Sequence, residues 1–166
     1  MIKIYLKMAK SGDFTFELDE KDYQALQRML TGVSNVDQRK AILQALKQGA
    51  RAIARVGKKN LKSKNKKKTG NLLGSINTKA IRKIVSAYAG FKRSGVKKGN
   101  HAHLVDRGTA KRWTKKGAYR GSVSRVSPYT GTKFWTTAVQ SEAPEAMRRV
   151  TDIIYDELSK ITSRKK

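Results

Sequence analysis

The chain has 166 residues, 38% of them hydrophobic, no cysteine, and a formal charge of +26. That length is one domain's worth and buries roughly 70% of the unfolded surface, while the missing cysteines exclude disulfides and thiol catalysis. No run approaches the ~18 consecutive apolar residues that span a bilayer. The opening "MIKIYLKMAK" is interrupted by lysine, unlike a signal peptide, so the expectation is a soluble protein of the cytoplasm or of something assembled there.

The charge is unevenly placed. No acidic residue lies between Asp37 and Asp106, whereas acids cluster over 13–37 and 142–157. The ends are near balance and the middle is a basic block. Charge on that scale opposes compaction and attracts polyanions, so it concerns partners more than fold.

In chain order, Ile2, Ile4, Leu6 and Met8 alternate with Lys3, Tyr5 and Lys7, and Phe14, Phe16 and Leu18 alternate again beyond Ser11-Gly12. This period of two predicts a β-hairpin over 1–18. Asp19 is a candidate N-cap, with Asp22 in the first turn of a short helix that carries Tyr23, Leu26, Met29 and Leu30 and ends near Gly32.

Residues 36–62 give the clearest helical pattern. Ile42, Leu46, Gly49, Ile53 and Val56 recur at three- and four-residue steps and define a core face. Lys40, Lys47, Arg51, Arg55, Lys58 and Lys62 fall on the opposite face, with no carboxylate interleaved to offset them by i,i+4 pairing. A lysine run, Lys66, Lys67 and Lys68, leads into Thr69 and Gly70, read as a cap and turn, with Leu72 anchoring that turn to the core and Ser75 starting a strand. Alternation of Val85, Ala87, Ala89 and Phe91 extends a strand pair over 75–91.

Residues 92–131 read as a long basic loop containing Lys111, Arg112, Lys115 and Lys116, with "HAHLVDRGT" as an ordered island. Within that island, Asp106 is placed to accept backbone amides or to sit near Arg107, and Gly108 permits a turn with positive φ. Helical order returns over 132–161, with Phe134 plugging the core and Met147, Val150, Ile154, Leu158 and Ile161 forming an apolar stripe. Pro144 predicts either a kink or a new helix capped by Ser141, and Arg148–Asp152 and Asp156–Lys160 are spaced for exposed ion pairs. Together these elements predict one α+β domain over 1–166: a small, mainly antiparallel sheet packed against a long central helix and a long C-terminal helix, with long basic loops.

For chemistry, the sequence offers no HExxH, no GxSxG, no P-loop and no carboxylate pair in a catalytic frame. The pair His101 and His103 has only Asp106 nearby and reads as an exposed loop or helix start, so neither metal nor cofactor is expected. The basic stripe and lysine run predict contact with nucleic acid or an acidic protein surface. Trp113, Tyr119 and Tyr129 stand among the loop cations and suit either base stacking or a subunit interface.

Three islands in order, "TGNLLGSI" (69–76), "HAHLVDRGT" (101–109) and "GTKFWTTAV" (131–139), carry a family resemblance. The chain resembles the tail-completion or neck (head–tail joining) proteins of long-tailed bacteriophages, the lambda Z-like group, over about residues 36–161. That family has a T-G-x-L-x-x-S-I segment, a V-E-x-G-T segment and a P-F-(L/M)-x-P-A start to its last helix. Thr69, Gly70, Leu72 and Ser75 match the first. Asp106, Gly108 and Thr109 match the second with aspartate for glutamate. Phe134 and Ala138 match the third, without its prolines. The resemblance implies a non-enzymatic virion protein at the neck or tail top, present in the host cytoplasm during assembly. It further implies a homo-oligomeric ring, such as a hexamer, beside the DNA channel, with head-completion and tail proteins as neighbours. On the charge pattern, 40–62 and 64–68 are expected to face packaged DNA or an acidic neighbouring ring. Two other classes compete: a free, non-enzymatic nucleic-acid-binding protein and a small nuclease or toxin.

Overall fold

The computed structural model describes residues 4–8, 13–29, 34–64, 70–108 and 131–163. Alternating sequence makes β1 (Ile4–Met8) and β2 (Phe14–Leu18), an antiparallel hairpin with Ile4 opposite Leu18 and Met8 opposite Phe14. Asp19 caps α1 (Glu20–Met29), its carboxylate accepting the Lys21 amide at 2.9 Å. The hairpin turn at Ser11-Gly12 and the helix end expected near Gly32 lie outside the described residues.

The central helix α2 runs Asn35–Lys64, slightly longer than its apolar period suggests. Ser34 starts it: its hydroxyl accepts the Asp37 amide at 3.2 Å and donates to the Asp37 carboxylate at 2.6 Å. A single turn, α3 (Asn71–Ser75), follows Gly70 in the left-handed region (φ 72). Then come β3 (Ile76–Ile81) and β4 (Ser86–Phe91), paired antiparallel with Ile76 opposite Phe91. A short α4 (Ala102–Arg107) precedes the last helix, α5 (Phe134–Ser163).

The sheet order is β1-β2-β4-β3, antiparallel throughout, so the two hairpins join through β2 and β4. This pairing sets Phe14 opposite Ala89 and Phe16 opposite Ala87. The alanines leave room over β4 for α2, whose Ile42, Leu46 and Ile53 are fully buried with the two phenylalanines. Each such side chain contributes about 1.5–3 kcal/mol on burial, which lets a compact core form despite the repulsion of the cationic surface. Helix α5 lies against α2, and two glycines set their spacing. A Cβ on Gly49 would stand 2.5 Å from Val150 Cγ2, and one on Gly57 would stand 2.5 Å from the Trp135 ring. The Trp135 ring stacks near Phe91 (4.8 Å between centroids) and Phe14 (5.7 Å), closing an aromatic core between sheet and helices. Among the described residues no helix is long and apolar enough to cross a membrane.

The α+β class, the long central helix and the long C-terminal helix are therefore as expected, and several local expectations change. Ser75 closes α3 and the strand begins at Ile76. The Ser75 hydroxyl is turned back to the Leu72 carbonyl at 2.7 Å. Val85 lies in the β3–β4 turn at φ 43, buried but not in a strand. The first part of the expected long loop is organised: the Gly99 amide bonds the Lys92 carbonyl at 2.8 Å, and 102–107 form α4. Pro144 sits inside a continuous α5 on its exposed side, where solvent can take the Gln140 carbonyl that lacks a proline amide. Ser141 starts no new helix; its hydroxyl bonds the Ala138 carbonyl at 3.3 Å.

The ion pairs on α5 differ as well. Glu145 takes both Arg148 (3.0 Å) and Arg149 (2.9 Å), and Lys160 pairs with Glu157 at 3.1 Å rather than with Asp156. One carboxylate between two guanidinium groups outcompetes the single wider-spaced partner Asp152. Hydrogen bonds from Arg148 and then Arg149 hold the Glu145 carboxyl down to about 2. The group is solvent-exposed, so this is chiefly local charge ordering. The side chains of Leu158 and Ile161 lie outside the described residues.

Candidate polyanion or partner interface

The cationic stripe is a direct product of helical period. Lys40, Arg51, Arg55, Lys58 and Lys62 are exposed and Lys47 is half-buried along one side of α2. The opposite side supplies Ile42, Leu46 and Ile53 to the core. The ion pairs found among the described residues lie on the β1–β2 hairpin, at Asp13–Arg93 and on α5, so none draws on this stripe.

Half of the stripe becomes the wall of a groove. The first part of α2 and the end of β3 enclose about 600 Å³, with Lys40, Lys47 and Arg51 on its walls. Two further cations, Arg39 and Arg82, join them, and Val36, Leu43 and Ala80 supply an apolar lining. The Arg39 guanidinium ties the helix to the β3–β4 turn, donating from Nη2 to the Arg82 carbonyl at 2.6 Å and the Lys83 carbonyl at 3.1 Å. Among the described residues that line the groove none is acidic. Arg55, Lys58 and Lys62 continue the stripe beyond it. Lys66, Lys67, Lys68, Lys111, Arg112, Lys115 and Lys116, like Trp113, Tyr119 and Tyr129, lie outside the described residues.

Sequence reasoning missed Arg39 and Arg82. Arg39 falls at the border of the core and cationic faces, and Arg82 comes from a turn remote in sequence. One signal was available: Val36 and Leu43 sit seven residues apart on the cationic side of the helix, where a purely solvated face would carry none.

The motif residues form a second, buried arrangement. Asp106, only 3% exposed, reaches from α4 to the start of α5. Its Oδ1 accepts the Trp135 amide at 2.6 Å and the Thr136 amide at 3.2 Å, while Oδ2 accepts the Thr136 hydroxyl. The carboxylate thus caps a 30-residue helix from outside it, where negative charge also favours the helix dipole. Gly108, at φ 90, turns the chain away. The Thr132 amide bonds the Val105 carbonyl at 2.9 Å and the Lys133 amide bonds the Asp106 carbonyl at 2.8 Å, fixing the approach to α5. Phe134 and Ala138 are fully buried, Phe134 as a core plug where the last helix begins, and Leu72 packs against the core from α3. Thr69 and Thr109 lie outside the described residues.

The back of the sheet carries one more polar cluster. Asp13 Oδ1 accepts the Phe91 amide at 3.2 Å and Oδ2 accepts Arg93 at 2.9 Å. Burial, then the charge and hydrogen bond of Asp13, push the Tyr88 hydroxyl up to about 12. The Asp13 carboxylate thus ties the end of β4 to the start of β2 and to Arg93. His101 and His103 are exposed at the start of α4. Among the described residues no group of three or more His, Cys, Asp or Glu side chains is placed to hold a metal ion.

Comparison of the chain with protein-family models, with curated proteins and with solved structures finds no match.

Proposed function

We propose that the chain is a structural protein of a tailed-phage virion, completing the tail top and joining tail to head as an oligomeric ring near the DNA channel. The reading starts from the resemblance of the three motif islands, and one observation carries it. The second and third islands, distant in sequence, meet directly at Asp106, and the first is linked to them through Lys92, Gly99 and Phe91. Ser75 accepts the Lys92 amide at 2.8 Å, Ala102 bonds Gly99 at 2.9 Å, and Asp106 caps the helix that Phe134 opens. Phe91, opposite Ile76 on the sheet, meets the Phe134 ring edge-on at 6.1 Å. A motif order like the family's, joined here by direct packing and hydrogen bonds, supports the reading, and the stripe on α2 offers an outward surface for DNA or an acidic neighbouring ring.

The test is to place the chain in a particle. Expressed with the head-completion and tail proteins of its own phage, it is expected to form closed rings, visible by electron microscopy at the neck. A protein that stays monomeric and absent from assembled particles overturns the reading. The stripe also supports a second reading, a free nucleic-acid-binding protein. That one predicts tight DNA binding by the isolated monomer, with log K falling steeply against log salt as phosphate counterions are released.

A further inference from the structure

The groove between α2 and β3 differs in chemistry from the rest of the stripe. A phosphate backbone is read by cations and hydrogen-bond donors, and single strands are held by aromatic platforms. Among the described residues that line the groove none is aromatic, and apolar ones lie between the cations. Val36, at its mouth, is 75% exposed, and Ile84 in the adjoining turn is 57% exposed. Exposed apolar groups ringed by charge are the composition of a protein-docking patch, in which apolar contact supplies affinity and the charged rim supplies selection. The enclosed volume of about 600 Å³ suits a few side chains. β3 is the terminal strand of the sheet, so the cleft lies along an edge with no further described strand beside it.

We propose that this groove docks an acidic segment of a neighbouring protein in which carboxylates are interspersed with apolar residues. The apolar side chains seat on Val36, Leu43 and Ala80, and the carboxylates meet Lys40, Lys47, Arg51 and Arg82. Arg39 both holds the floor in shape and contributes charge: its two bonds to the β3–β4 turn leave from Nη2, so Nη1 and Nε keep donors for a carboxylate. Charge complementarity selects the occupant. The described lining presents five cations and no acid, which repels basic partners, including further copies of this chain presented through their own stripes. The proposal deepens the neck reading, resting on it only for the identity of the partner.

The test uses the full chain and fluorescence anisotropy at physiological salt. The probes are a labelled peptide alternating Glu and Leu, its counterpart with every Leu replaced by Ser, and a single-stranded oligonucleotide of equal charge. The Glu/Leu peptide is expected to bind at least about tenfold tighter than the Glu/Ser peptide. Val36→Asp, at a position exposed enough to leave folding intact, is expected to weaken the Glu/Leu peptide about tenfold and the oligonucleotide less than about threefold. Arg82→Glu is expected to weaken the peptide as well, with an unchanged circular-dichroism melting curve for both variants. Equal affinity for the two peptides overturns the proposal. So does an oligonucleotide that displaces the Glu/Leu peptide and is weakened by Val36→Asp as strongly as the peptide is, which would assign the groove to nucleic acid. The two readings separate cleanly. Peptide binding as expected, from a chain that never enters particles, removes the neck reading and keeps the groove. Normal incorporation of the Val36→Asp protein, with no peptide preference, removes the groove alone.

Discussion

The joint around Asp106 and the groove on α2 are both built on charged residues, and they use charge in opposite ways. At the joint one carboxylate is buried and its oxygens are occupied by two amides and a hydroxyl of α5. Desolvation there is offset by bonds that the chain itself supplies. In the groove, among the described residues, five cations share a cleft with exposed valine and no acid. The one conspicuous internal use is Arg39, which braces the turn. The contrast separates residues that shape the domain from residues that address something outside it.

The joint is expected to govern stability. Trp135 is fully buried, touches Phe14 and Phe91, and fills the space that Gly57 leaves open. Trp135→Ala should therefore cost about 3–5 kcal/mol, measured by urea unfolding. Asp106→Ala removes the cap and leaves two helix amides buried without their acceptor, for an expected loss of about 2–3 kcal/mol. Asp106→Asn keeps an oxygen acceptor and should lose roughly half as much. If Asp106→Ala unfolds at the same urea concentration as the parent, the cap is not what orders the start of α5.

The groove should behave in the reverse sense. Lys47→Glu combined with Arg51→Glu removes like-charge repulsion along one helix face, so stability should change by less than about 0.5 kcal/mol, or rise. Polyanion binding by the same variant should fall and lose part of its salt dependence. A large loss of stability would show that the stripe belongs to the fold after all.

Much of the fold was legible because its core depends on simple periods. The alternation of Phe14 and Phe16, the four-residue step from Ile42 to Leu46 and the buried Val150 and Ile154 all lie where the pattern puts them. The features that escaped depend on contacts between distant segments. No local pattern says that Asp106 caps a helix nearly thirty residues away, although its preference for backbone amides was legible. Nor does spacing on α5 say that Glu145 takes both arginines, since i,i+3 and i,i+4 partners compete on one helix face. Three of the six stripe cations named from α2 gather in the groove, but its other wall comes from a turn some forty residues on.

The hydrogen bonds between 105–106 and 132–133 also bring two widely separated points of the chain together. Gly131 packs on the Asp106 carbonyl and the Gly108 amide so closely that a side chain there would collide with both. The chain ending at Gly108 and the chain beginning at Gly131 are therefore held side by side by contacts among described residues alone. Halving the length of chain between two points held together changes the entropic cost of closure by only about 0.6 kcal/mol, so the number of residues between Gly108 and Gly131 is open to change while the same body is kept.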